Sequence, residues 1–281
     1  MKILGINAHY HDSAAVLLDN GRIAHAAQEE RFTRKKFDPS FPVNAIASCL
    51  KADNLDLSDI ATVVMHDKPV LKFQRLIESH IRNAPRGFST FMRAVPPWIS
   101  TKLYAKKQVR DGLKPMLKNG GKCPEIIFAA HHQSHAASAF YPSPFRKALV
   151  VTVDGVGEYA TTSVYRGDGH SLVLQKQINF PDSLGLLYAA VTQYLGFKVL
   201  SGEYKVMGLA PYGAPKFSDL MLEKIITLHD DGSFSLDQSY FDYVVGTRMF
   251  SDKMVTLFGQ PARQPEAELT QFYMDIAASI Q

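Results

Sequence analysis

Short apolar runs separated by polar loops open the chain: Lys2–Asn7 reads as a strand, residues 8–12 as a polar loop, 13–19 as a second strand and Arg22–Gln28 as a third. The last two are joined by Asn20-Gly21, a pair suited to a two-residue hairpin because both turn positions need positive φ. A related pattern returns in the second half: a strand over 148–153, a loop Asp154-Gly155-Val156-Gly157-Glu158, a strand over 160–165, a Gly167-Asp168-Gly169 turn and a strand over 171–177. The chain therefore reads as internally duplicated. Between and after these blocks the spacing predicts helices over 42–52, 71–83, 101–119 and 133–140. Residues 265–281 read as one more, with Leu269, Phe272, Tyr273, Ile276 and Ala277 at helical spacing. It stops without a capping residue, glycine or proline, so the natural chain is expected to continue. Strands lead and helices follow in each half, which predicts an α/β fold of two lobes, 1–146 and 147–281, the second incomplete.

Composition adds limits more than direction. With 281 residues, 46% hydrophobic and 21% charged, the chain has the make-up of a folded domain with a sizeable core. A net charge of +4 is too small to argue for nucleic acid, and none is expected as a partner. Cys49 and Cys123 stand far apart, which removes a disulfide framework and a cysteine-based zinc site and fits a reducing cytoplasm. The start MKILGIN lacks the apolar run of a signal peptide, and no membrane association is expected. Between Asn83 and Lys118 basic residues alternate with Phe88, Phe91, Trp98 and Tyr104, either an acidic-ligand surface or, the better reading, solvated helix faces with snorkelling stems. Gly112 and Pro115 interrupt that stretch.

The residues able to carry chemistry fall in a few places. In AAHHQSHAASAF, His131 and His135 stand four apart at the start of a predicted helix, so both imidazoles leave one face and can bind one divalent ion. The alternative is a pair of structural histidines. Asp154, at a strand end where a loop begins, offers a carboxylate to complete an N,N,O site suited to Fe²⁺, Mn²⁺ or Zn²⁺; alternatively it is a turn residue capping its own loop. His11 followed by Asp12 is the pair expected to act as general base toward a hydroxyl. Gly155 and Gly157 permit close approach of backbone N–H groups to an anion, with Glu158 beside them. In Ser201-Gly202-Glu203-Tyr204-Lys205-Val206-Met207-Gly208, Lys205 either meets a phosphate near Gly208 or sits on a tight loop at the surface.

Taken in order, HDSAAVLLDNGRIAHAAQEERFTRKK, HHQSHAASAF, VVTVDGVGE and EYKVMGLAPYG resemble the nodulation-protein-U type O-carbamoyltransferases over nearly the whole chain. The resemblance implies an actin-like ATPase fold shared with the tRNA threonylcarbamoyl transferase, followed in family members by a YrdC-like domain absent here. It implies that carbamoyl phosphate and ATP with Mg²⁺ give carbamoyl-adenylate, whose carbamoyl group passes to a hydroxyl-bearing acceptor in biosynthesis. Carried over by position, it places metal ligands at His131, His135 and Asp154 and a general base at His11. Lys36 and Lys205 match only loosely, as substrate or phosphate contacts. A further metal-binding aspartate of the family lies beyond the last residue, so the site is expected to be incomplete and the chain alone inactive. Two rival readings are a sugar kinase or ATPase of the same fold, and a non-catalytic docking module. Paired histidines argue against the kinase, which would bind Mg²⁺ through oxygen.

Overall fold

The computed structural model describes residues 1–118 and 121–281. Strands and helices are mixed throughout, an α/β arrangement as expected, and the chain divides into two compact units. One unit comprises Met1–Val70 and Pro96–Ser134; the other comprises Leu71–Val95 and His135–Gln281.

The first unit is built on a five-stranded sheet: β1 (Lys2–Asn7), β2 (Ala14–Asp19), β3 (Arg22–Gln28), β4 (Thr62–His66) and β5 (Glu125–Ala129), in the order β3-β2-β1-β4-β5. The first three form an antiparallel meander, whereas β4 and β5 run parallel to β1. Asn20 and Gly21 turn the hairpin with φ of 47° and 82°, as the pair predicts. Register aligns Leu17, Leu4, Val63 and Ile126 in one row across the sheet, all buried. The helix Val43–Ala52 covers this face with Ala45, Ile46, Cys49 and Leu50, and the helix Ala105–Leu113 adds Val109 and Leu113. Each Val, Leu or Ile side chain among them contributes roughly 1.5–3 kcal/mol by leaving water. The helix Val43–Ala52 starts after Pro42, which has no side-chain acceptor to offer. Buried Glu29 supplies it instead, accepting from the backbone N–H of Asn44 (3.2 Å) and Ala45 (2.8 Å) and from Asn44 Nδ2 (2.6 Å). A carboxylate at a helix N-terminus meets both the unsatisfied donors and the dipole.

Parallel pairing of β1, β4 and β5 has a positional result. Ile6 faces Met65 and His66 faces Ala129, so the carboxyl ends of all three strands lie along one edge of the sheet. That edge is where α/β sheets gather ligands.

The second unit has its own antiparallel meander, β6 (Lys147–Val153), β7 (Ala160–Asp168) and β8 (Ser171–Asn179), and a small hairpin of β9 (Ile226–Leu228) and β10 (Phe234–Leu236). Its core surrounds the helix Leu184–Tyr194, where Ala190, Val191 and Tyr194 are fully buried. Tyr194 packs edge-on against Phe250 and Phe258, and its hydroxyl donates to the Gln260 carbonyl at 2.5 Å.

Several expectations change. The helix expected over 101–119 is shorter: single turns Lys102–Tyr104 and Lys114–Met116 flank a helix limited to Ala105–Leu113. Pro115 supplies no N–H to extend it, and Asn119 lies outside the described residues. The Glu203–Gly208 stretch is not a tight loop but a helix, Glu203–Leu209, in which a Cβ on Gly208 would meet open space. Gly167 and Asp168 belong to β7, so the turn falls on Gly169 with φ of 58°. The last helix spans Gln271–Ile280 and excludes the residues before Thr270. Sequence reading missed β4, β5 and the helices Phe88–Ser100 and Leu184–Tyr194.

Candidate functional site

In the first unit the edge formed by β1, β4 and β5 collects imidazoles and carboxylates. Leaving β1, the chain makes a loop in which His9 and Asp12 adopt left-handed backbone, φ 68° and 51°. Neither residue is a glycine, so the conformation has to be held by its surroundings. Asn7 Nδ2 donates to the carbonyls of His11 (2.8 Å) and Asp12 (2.9 Å), while His9 N–H donates to Pro39 and Ser13 N–H to Asp38. On this frame His11 Nδ1 meets Asp12 Oδ2 at 2.7 Å. A carboxylate can only accept, so in the neutral ring Nδ1 carries the proton and Nε2 keeps a lone pair able to take one from a hydroxyl. His11 is 44% exposed, within reach of a substrate.

At the end of β4, His66 Nε2 lies 2.9 Å from Asn7 Oδ1, and Asp67 Oδ1 lies 2.5 Å from His131 Nδ1. His131 opens the helix His131–Phe140 two residues after β5 ends. The next histidine, His132, turns inward and is 2% exposed. Sequence reading did not assign roles to His66, Asp67 or the Asn7 amide. What marks them is position: a His-Asp pair directly after the apolar run Val63-Val64-Met65 is a strand-end pair, once that run is taken as a strand.

In the second unit, His135 Nε2 stands 3.8 Å from Asp154 Oδ2. The other oxygen, Oδ1, accepts from Gly155 N–H at 2.6 Å, so Asp154 caps its own loop with one oxygen and faces the imidazole with the other. Gly157 N–H donates to the Ala160 carbonyl, which together with the Gly155 bond folds the loop upon itself. Ser183 fastens the loop to the helix Leu184–Tyr194: its hydroxyl donates to the Gly155 carbonyl at 2.7 Å and accepts from Leu186 N–H at 3.0 Å. Gly185 is required there, since a Cβ would lie 2.6 Å from the Asp154 carbonyl oxygen. Glu158 is buried and its carbonyl accepts from Arg75 Nε at 2.5 Å.

Lys36 is exposed on the segment after β3, and Lys205 is on the helix Glu203–Leu209 with Nζ 5.9 Å above the Phe197 ring.

A family model described as "Carbamoyltransferase N-terminus" matches residues 2–281. Among curated proteins, an uncharacterized protein, sll1178, of Synechocystis sp. is 51% identical over 284 residues, covering 99% of this chain and 46% of that protein. Nodulation protein NolNO of Sinorhizobium fredii is 32% identical over 98% of this chain and 37% of its own length, and nodulation protein U of Rhizobium tropici is 27% identical over 70% and 32%. The chain thus spans less than half the length of these curated relatives. Among solved structures, an Aquifex aeolicus Ppx/GppA phosphatase aligns over 76% of this chain and 65% of its own at 11% identity and a TM-score of 0.32, too slight a likeness to build on. With a carbamoyltransferase model matching residues 2–281 and a nodulation protein 32% identical over 98% of the chain, this chain belongs to the carbamoyltransferase family and corresponds to its N-terminal part.

Proposed function

We propose that this chain forms the acceptor-activating part of an ATP-dependent O-carbamoyltransferase, which moves a carbamoyl group from carbamoyl-adenylate to a hydroxyl of a sugar or other small molecule. Carbamoyl phosphate and ATP with Mg²⁺ are the co-substrates of this reading, and a YrdC-like domain would make the adenylate. The observation that carries it is the His11–Asp12 pair on its braced loop at the carboxyl edge of β1, β4 and β5. The strand order β3-β2-β1-β4-β5 supports an actin-like plan for the first lobe, 1–146, and the second meander supports a related lobe over 147–281.

In this reading His11 Nε2 takes the proton of the acceptor hydroxyl, and the oxygen adds to the carbamoyl carbon. The bond from that carbon to the adenylate phosphate oxygen then breaks, and AMP leaves with the electron pair. Asp12 keeps the His11 ring oriented and stabilises the imidazolium that forms. A carbamoyl carbon is a weak electrophile, and its mixed anhydride with AMP supplies the driving force.

His131, His135 and Asp154 are the residues that would hold a divalent metal, Fe²⁺ first, with Mn²⁺ or Zn²⁺ as alternatives. The donor set fits: the imidazoles are one helical turn apart on the helix His131–Phe140, and the 3.8 Å from His135 Nε2 to Asp154 Oδ2 is close to the spacing of two ligands on one ion. Such an ion supplies Lewis-acid stabilisation of charge on phosphate or carbonyl oxygen. Glu158, Lys205 and Gly208 belong to the phosphate side of the reading and Lys36 to the substrate side, whereas the N–H groups of Gly155 and Gly157, expected to meet an anion, are bonded within their own loop.

The test is transfer of labelled carbamoyl phosphate, with ATP, to a panel of hydroxyl compounds by the full-length polypeptide and its His11→Ala variant. A loss of roughly 10²- to 10⁴-fold in the transfer step, with adenylate formation retained, is expected. Equal transfer by both proteins contradicts the assignment.

A further inference from the structure

We infer that Asp67 is a positioning residue which fixes the ring tautomer of His131, and that Asn7 and His66 tie this pair to the loop bearing His11. The metal part of its consequence rests on the reading of His131 as a ligand; the tautomer itself does not.

Four facts of the first unit carry the inference. Asp67 Oδ1 is 2.5 Å from His131 Nδ1, and both side chains are largely out of water, 16% and 15% exposed. A neutral imidazole has one N–H and a carboxylate only accepts, so the proton sits on Nδ1 and the lone pair is placed on Nε2. Unrestrained histidine prefers the opposite tautomer, and the carboxylate therefore selects the form that presents Nε2.

The distance also decides between two roles for Asp67. Two donors bound to one ion at about 2.0–2.2 Å stand roughly 3 Å or more apart, even in an octahedral site. At 2.5 Å, Asp67 Oδ1 and His131 Nδ1 stand as a hydrogen-bonded pair, closer than two ligands of one ion. Asp67 instead stands behind the imidazole, the carboxylate–histidine arrangement that orients a ligand ring and raises its basicity.

Backbone geometry supports a placed residue. Asp67 has φ of 76°, a left-handed conformation uncommon outside glycine, directly after the last residue of β4. Next to it the Asn7 amide is oriented unambiguously, because Nδ2 donates to two loop carbonyls. Its Oδ1 must then accept, so His66 donates from Nε2 at 2.9 Å. His66 Nδ1 is left facing Asp67 Oδ1 at 3.7 Å. The Asn7–His66 hydrogen bond thereby links the loop of the proposed base to the end of β4, and Asp67 follows His66 directly in the chain.

The experiment is ¹⁵N NMR of the histidine rings in the labelled chain, at a pH where they are neutral, with His131 assigned by His131→Gln. The wild type is expected to show His131 protonated on Nδ1, Asp67→Ala to move it to Nε2, and Asp67→Asn, whose carbonyl still accepts, to retain Nδ1–H. A wild-type ring protonated on Nε2, or a ring unmoved by Asp67→Ala, overturns the inference. Co²⁺ titration, followed by its visible absorption, supplies the second arm: Asp67→Ala should weaken binding roughly 10- to 100-fold and Asp67→Asn less. Unchanged Co²⁺ affinity in Asp67→Ala overturns the positioning role. A wild type that binds no Co²⁺ but shows the tautomer switch sinks the metal reading and leaves Asp67 as the residue that orients His131.

Discussion

Asp38 shows how a single buried carboxylate can set the shape of a reactive loop. Its Oδ1 accepts from Ser40 N–H (3.0 Å) and the Ser40 hydroxyl (2.6 Å), its Oδ2 from Thr33 (2.7 Å), and its backbone carbonyl holds Ser13. The neighbouring Pro39 carbonyl holds His9, so the segment grips the loop of His11 at both ends. Hydrogen bonds from Ser40 and Thr33 bring the Asp38 carboxyl down to about 2. A folded-state value below the unfolded one, about 4, means the stabilisation is complete above that unfolded value and is lost as pH falls toward 2. Asp275, held by Lys216, the Ala214 N–H and Gln271, lies at about 2 for similar reasons and adds to the same window. Denaturant unfolding should therefore show stability level above pH about 5 and declining between about 4 and 2. Asp38→Asn should shrink that decline and speed hydrogen exchange at the His9 and Ser13 amides; unchanged exchange at both would contradict the gripping role.

For the elements, the decisive feature is that β1, β4 and β5 are parallel, because this brings Asn7, His66 and His131 to one edge. The row Leu17, Leu4, Val63 and Ile126 underneath fixes the register, and a slip of one residue would turn these side chains to the other face. Leu17→Ala removes a fully buried side chain and is expected to cost about 2–5 kcal/mol in urea unfolding. A cost under about 1 kcal/mol would mean that the row does not carry the sheet. The antiparallel strands were legible because a tight turn such as Asn20-Gly21 marks where one ends and the next begins. By contrast, β4 and β5 have five residues each and are joined to their neighbours by long crossovers, which leave no turn pair to read. Missing those strands hid the significance of His66-Asp67, an ordinary polar pair until it stands at a strand end. The Glu203–Leu209 helix was misread for a different reason: glycine suggests a turn, yet Gly208 here is simply tolerated inside a helix.

On the scale of the whole chain, motif order carried the family resemblance, and the family match covers residues 2–281. Spacing predicted that His131 and His135 share a helix, which they do, and placed Asp154 at the start of a loop, where it lies beside His135. What spacing could not supply is the set of partners that orient these groups, since Asn7, Asp67 and Ser183 act across the fold. On the proposed reading, His131 and His135 also hold a divalent metal for carbamoyl transfer. Elemental analysis of the untagged full-length polypeptide after anaerobic loading with Fe²⁺ and desalting, beside its His131→Ala/His135→Ala double variant, tests that reading. Stoichiometric iron is expected in the wild type and not in the variant; equal iron in both proteins would refute the site.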